Sequence, residues 1–201
     1  MNKVKALFDE VVQIVKSALE GETKTPAERI LDEYLPIEDN VLSALTARNS
    51  QLTAIPTSVI IDLASRTYNV VDCPCIQERI WEILIDHQTN PNLMKKALNL
   101  LHYLLINGSE EVVSDTRAPA RASFLSDVAT TYNKHEFEQY EFSQNLDIGA
   151  GARKTAADIN ALLENDEALL QARQEAEALH QKLALQGLRS TNRPTDDETR
   201  H

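Results

Sequence analysis

The chain has 201 residues, with 31 acidic against 20 basic side chains and a formal net charge of −11. Its 5 Gly and 7 Pro are about half the usual share, too few for a turn-dense all-β domain, while 42% hydrophobic residues are too many for a wholly disordered chain. The acidic balance argues against sequence-independent nucleic-acid binding, which depends on neutralising phosphates with Lys and Arg, and against adhesion to anionic membranes by charge alone.

Over residues 1–20, Val4, Leu7, Phe8, Val11, Ile14, Val15, Ala18 and Leu19 recur at steps of three and four. That spacing predicts one amphipathic helix, stopped near Gly21. Asp9 and Glu10 fall where a signal peptide would be apolar, so the segment does not read as a secretion signal. Thr25 and Pro26 form an N-cap and first-turn pair that opens a short acidic helix, ended by Pro36. Another short helix is expected over 38–48, and Pro56 starts a longer one through Asn69, with Val59, Ile60, Leu63 and Tyr68 on its apolar face. Cys73 and Cys75 flank Pro74 and are too close together to staple a fold or complete a four-ligand zinc site. They read as reduced thiols of a cytosolic protein. From Pro74 a helix carries Ile76, Ile80, Trp81, Leu84 and Ile85 at helical spacing, and His87 to Pro91 is its closing turn.

The stretch from Asn92 to Ile106 is apolar on most of its circumference, which predicts a central helix packed on several sides. It is broken by Asn99 and His102, and no stretch of the chain approaches the ~18–20 apolar residues of a membrane span. Asn107-Gly108 is expected to close the helix in a left-handed C-cap, and Ser109 with Glu110 and Glu111 to open the next by capping and by charge. Two short helices follow over 109–117 and 119–132. After a stretch with Phe137, Tyr140 and Phe142, residues 150–186 read as two helices or one long broken one, and residues 187–201 as a disordered tail. The fold class is all-α, in about eight irregular helices without a repeat period.

Three stretches together resemble the epsin N-terminal homology (ENTH) domain of clathrin adaptors. They are TYNVV at Thr67 to Val71, followed by Trp81 and Asp86-His87; KALNLLHYLLINGSEEVV from Lys96 to Val113; and ARKTAADINALLENDEALLQARQEA from Ala152 to Ala176, preceded by Asp147 and Gly149. The first twenty residues look in addition like that family's membrane-inserting helix. The resemblance implies a right-handed, ENTH/VHS-like superhelix over 38–186, with the amphipathic helix at 1–20, an insertion with a short acidic helix at 21–37 and the tail at 187–201. In that frame TYNVV, Trp81 and the central helix are mainly core-packing features.

The resemblance also implies a non-enzymatic trafficking adaptor of clathrin-related endocytosis or endosomal/Golgi transport. Such a protein is cytoplasmic and peripheral at the plasma membrane, endosome or Golgi vesicles. Its implied partners are a phosphoinositide-containing membrane, the clathrin/adaptor machinery and a SNARE, with no nucleic acid and no cofactor. Family members hold the lipid head group in a basic pocket, where Arg and Lys match several phosphates at fixed geometry. Taken one at a time, those basic positions fall on Ile83, Thr89, Leu93 and Asn92, and, in the family's first helix after the N-terminal one, on Leu42 or Leu45. What remains is Lys5, with Lys3 and Lys16 nearby, and Lys95 and Lys96, of which Lys96 matches the family.

Lys3, Lys5 and Lys16 are balanced by Asp9, Glu10 and Glu20, so insertion of Val4, Leu7, Phe8 and Val11 is the stronger candidate anchor. The competing reading packs that stripe permanently on the domain or on a partner helix, leaving a module without lipid binding that recognises a helical trafficking partner such as a SNARE regulatory domain. The five histidines are scattered, and no nucleophile, acid or base with catalytic spacing accompanies them. Neither Asn-Pro-Phe nor Asp-Pro-Phe/Trp occurs in the chain, so clathrin-adaptor tail peptides are absent from it.

Overall fold

The computed structural model describes residues 24–37, 54–132 and 149–191, with side chains as far as residue 184. The helices expected over 1–20 and 38–48, the aromatic stretch around Tyr140 and the last ten residues lie outside the described residues. Within them the chain is helical throughout: α1 Pro26–Tyr34, α2 Thr57–Arg66, α3 Asp72–Asp86, α4 Pro91–Asn107, α5 Glu110–Thr116, α6 Pro119–Thr131, α7 Ala150–Glu164 and α8 Asp166–Thr191.

Short polar signals set the helix starts. At α1 the Thr25 hydroxyl accepts from Glu28 N–H at 3.1 Å and the Glu28 carboxylate accepts from Thr25 N–H at 2.6 Å, a reciprocal capping box. The Asn90 side chain accepts from Leu93 N–H at 3.1 Å ahead of α4. The Asn165 side chain accepts from Glu167 and Ala168 N–H, both at 3.1 Å, and this cap divides the closing segment into α7 and α8. Helix α3 begins at Asp72, two residues before Pro74, because a proline in the first turn lacks only an N–H that has no helical acceptor.

Four expectations are corrected. Gly108 has φ −98° and ψ −172°, extended rather than left-handed. A Cβ there would lie 2.6 Å from Leu104 O and 3.0 Å from Thr67 Oγ1, so glycine is required for close approach and not for a positive φ. Ser109 precedes α5 but makes no side-chain cap; its N–H donates to Thr67 Oγ1 at 2.9 Å and its hydroxyl faces Cys73 Sγ at 3.8 Å. Of TYNVV only Thr67 is buried among the apolar and hydroxyl side chains, whereas Tyr68, Val70 and Val71 are 69%, 86% and 62% exposed. They sit in the turn between α2 and α3, where no helical stripe demands burial. Finally, α8 runs through Thr191, past Gly187. A helix already nucleated gains a hydrogen bond per added residue, and one glycine weakens it by only ~1 kcal/mol.

Helix α4 is the centre of the fold, touching α2, α3, α5, α7 and α8. Met94, Ala97, Leu98, Leu100, Leu104 and Leu105 are fully buried around its circumference. Helix α1 lies against α3 and α2 and puts Ala27, Leu31 and Leu35 into the same core. Arg79 of α3 ties it down, donating to Leu35 O at 3.0 Å and to Asp32 at 2.8 Å. Burial pushes the Asp32 carboxyl up, but its bonds to Lys24 at 2.7 Å and to Arg79 outweigh that and hold its pKa below the ordinary value.

A depressed carboxyl pKa stabilises the fold at neutral pH, and that contribution is lost as the pH falls through the lowered value. Asp32→Asn is therefore expected to cost about 1 kcal/mol at pH 7 and much less in strong acid. Urea midpoints at both pH values check this, and an equal deficit at both would count against the ion pair as the source.

Candidate functional site

Lys95 and Lys96 are consecutive on α4 and therefore point about 100° apart. Lys95 is exposed, its stem laid across the start of α7, with Cε 3.5 Å and Nζ 3.8 Å from where a Cβ on Gly151 would sit. Lys96 is 3% exposed, and its ammonium is directed at Tyr34 O, 3.4 Å away, at the end of α1. Burial lowers its pKa. The last carbonyls of a helix lack helical donors and carry partial negative charge, and α1 has no basic residue in its own last turn. Lys96 and Arg79 supply that charge from α4 and α3. The expectation of a lipid-contacting Lys96 is corrected accordingly, since its ammonium serves the interior.

The other positions of the family's basic pocket divide by burial. Ile83 and Leu93 are in the core, while Thr89 and Asn92 are exposed and uncharged. Lys3, Lys5, Lys16, Val4, Leu7, Phe8 and Val11 lie outside the described residues. Elsewhere, described arginines join the fold together. Arg66 bonds Asp62 at 3.1 Å and Asp72 at 3.2 Å, and Arg117 of the α5–α6 turn pairs with Asp166 of α8. Arg173 of α8 donates to Leu105 O at 2.8 Å and Gly108 O at 3.1 Å, closing the end of α4, and pairs with Glu110. Lys95 and Lys154 are among the basic side chains left exposed.

The surface the sequence did not single out is near Tyr68. Its hydroxyl donates to Gly108 O at 3.1 Å, and it borders a cleft of about 370 Å³ walled by Ile106, Arg173, Glu177 and His180. His180 in turn meets the Asn107 side chain at 3.1 Å. The one available signal was position: Asn69-Val70-Val71 falls in a turn, whose Asn69 side chain accepts from Val71 N–H at 2.8 Å. Among the described residues no group of His, Cys, Asp and Glu is arranged to hold a metal, and no helix is long and apolar enough to cross a membrane. Burial pushes both cysteine thiols up, away from the reactive thiolate.

The sequence profile of the ENTH domain matches residues 36–169, which starts just after α1 and ends in the first turn of α8. Rat Epsin-3 is 31% identical over 133 residues, 66% of this chain and 20% of that protein. Human Epsin-2 is 30% identical over 128 residues, 64% of this chain and 19% of that protein. The chain thus spans about a fifth of the length of the curated relatives it matches. Among solved structures, the ENTH domain of ENT2 from Candida albicans superimposes with a TM-score of 0.58 at 20% identity, covering 77% of this chain and 99% of that one. The ENTH domain of epsin-2 in complex with phosphatidylinositol 4,5-bisphosphate gives 0.51 at 21% identity, covering 76% and 92%. The all-α superhelix, organised around α4, is the fold of these domains, and with the profile spanning α2 to α7 in order the chain belongs to the ENTH domain family.

Proposed function

We propose that this protein is the membrane-associating domain of a vesicle-trafficking adaptor in clathrin-related endocytosis or endosomal/Golgi transport, held to phosphoinositide membranes mainly by its N-terminal amphipathic helix. Membership of the ENTH family, in which the epsin-2 domain carries the bisphosphorylated lipid, supports the membrane partner. The observation that carries the anchoring mode is the fate of the basic pocket: Ile83 and Leu93 are buried and Lys96 is turned inward. A basic residue near an anionic surface contributes only ~1 kcal/mol, so Lys95 with Lys3, Lys5 and Lys16 makes a weak electrostatic hold. Burying Val4, Leu7, Phe8 and Val11 contributes ~1.5–3 kcal/mol each, opposed by ~1–2 kcal/mol per residue ordered on the membrane. Binding is then weak, sensitive to curvature and little selective among head groups.

Co-sedimentation with liposomes of differing phosphoinositide content tests this reading. Leu7→Gln and Phe8→Asp are expected to lower the bound fraction several-fold, Lys95→Ala by less than about two-fold and Lys96→Met not at all. Equal pelleting by the unaltered chain, Leu7→Gln and Phe8→Asp, or no pelleting with any lipid, would sink it.

A second reading, a module without lipid binding that recognises a helical partner such as a SNARE regulatory domain, is favoured by the exposed Tyr68, Val70 and Val71. Recovery of trafficking proteins from extract without liposome binding would select it.

A further inference from the structure

Along α3, Glu78, Glu82 and Asp86 recur at four-residue steps and form one acidic stripe. Beside it run Pro74, Trp81 and Ile85, and the two stripes with Arg121 of α6 border an open groove of about 580 Å³. Ile85 is 51% exposed although it belongs to the apolar pattern that builds the helix.

Among the described residues, the cation that lines the groove, Arg121, and the nearby Arg79 are already committed. Arg121 pairs with Asp115 and lies 4.8 Å over the Trp81 ring. Arg79 is 3.9 Å from Glu82 but is held more closely by Asp32 and Leu35 O. Glu78 and Asp86 make no ion pair among the described residues. Moreover, Asp86 stands in the last turn of α3 and Glu82 just before it, at the negative end of the helix, where the last turn has no basic residue to offset them. Three carboxylates stacked at i, i+4 and i+8 repel one another there. Gln77, on the groove wall, buries its Nε2 without a hydrogen-bond partner among the described residues, leaving both of its N–H donors unsatisfied. The free surface is thus electrostatically unfavourable in a way that a cation at each carboxylate would relieve.

We infer that this groove docks a cationic amphipathic helix of another protein, with Lys or Arg at four-residue steps against Glu78, Glu82 and Asp86 and a large apolar side chain over Ile85 and Pro74. The spacing matches because a second helix laid along α3 repeats its charges at the same pitch. An anionic lipid surface or a nucleic acid is repelled by the same carboxylates. The docking surface is independent of how the N-terminal residues meet a membrane.

Trp81 is the chain's single tryptophan and borders the groove, so its emission reports occupancy without a label. The full chain is titrated with a synthetic helix of about 18 residues bearing Lys at four-residue steps beside a Leu stripe, and with the same helix carrying Glu for Lys. The Lys helix is expected to give a saturable change at micromolar concentration, the Glu helix none. The triple variant Glu78→Gln, Glu82→Gln, Asp86→Asn is expected to weaken binding at least about ten-fold, as is raising salt from about 0.05 to 0.5 M. Its thermal midpoint stays the same or rises, because repulsion is removed, so the lost binding is not lost folding. Ile85→Ser, on an exposed position, weakens binding with the carboxylates intact. Equal affinity for the two helices, undiminished binding by the triple variant, absence of any saturable change, or a response to anionic vesicles that depends on the three carboxylates would overturn the assignment.

Discussion

Trp81→Ala is expected to lower the unfolding free energy by about 3–5 kcal/mol, the range for truncating a buried large aromatic. Only 3% of Trp81 is exposed, and three different contacts hold it. Its Nε1–H donates to Asp115 Oδ2 at 3.2 Å. Phe124 meets it edge-on, with ring centroids 6.4 Å apart at 75°. Arg121, paired with the same Asp115, covers its face. Truncation removes the apolar volume and also the roof of the Asp115–Arg121 pair, so α3, α5 and α6 lose a shared wedge. Trp81→Phe keeps most of the volume and gives up the indole donor, for which about 1–2 kcal/mol is expected. Urea unfolding followed by circular dichroism gives both values without relying on the missing indole. A deficit under about 1 kcal/mol for the alanine variant would show that the wedge has little energetic weight.

Gly108→Ala is expected to cost about 2–3 kcal/mol, because the methyl group meets backbone and not a movable side chain. It would press on Leu104 O, which accepts from Gly108 N–H at 2.7 Å, and on Thr67 Oγ1, which accepts from Ser109 N–H. Relief requires the α4–α5 turn to shift and these bonds to lengthen. Two companion variants separate crowding from backbone conformation. Gly108→Asn, which would suit a left-handed cap, is expected to be no better than alanine, since the backbone is extended. Gly151→Ala on α7 is expected to stabilise by about 0.5–1 kcal/mol, since its Cβ makes only ordinary contact with Lys95 and alanine is the better helix former. Thermal or urea unfolding of the three variants checks the order. A milder effect for Gly108→Asn than for Gly108→Ala would restore the left-handed explanation.

Local chemistry made much of this fold legible. The Thr25-Pro26 capping pair, the proline in the first turn of α3 and the apolar circumference of α4 are short-range signals, and each marks the element it predicts. The candidate site was less legible, because the same residue type serves two ends. A lysine on an amphipathic helix reads as a surface charge, yet Lys96 is buried at the end of α1 while its neighbour Lys95 is not. Likewise Thr67 and Tyr68 are consecutive in one motif, but one lies beneath Ser109 and the other faces solvent.

The sequence by itself determined that the chain is all-α, that its longest apolar helix is central and that its order of motifs is that of an ENTH domain. Helical periodicity and capping depend on residues within one or two turns, so they survive without knowledge of the rest of the chain. The tertiary structure alone decided which cations remain available. Arg79 and Lys96 are drawn to the end of α1, Arg173 to the end of α4 and Arg121 to Asp115 and Trp81, each across more than one helix. A buried carbonyl or carboxylate must find a donor, and the donors it takes come from positions distant in sequence. That requirement, invisible in any local pattern, commits these four cations to holding helices together, and it leaves Glu78 and Asp86 of α3 without an ion pair among the described residues.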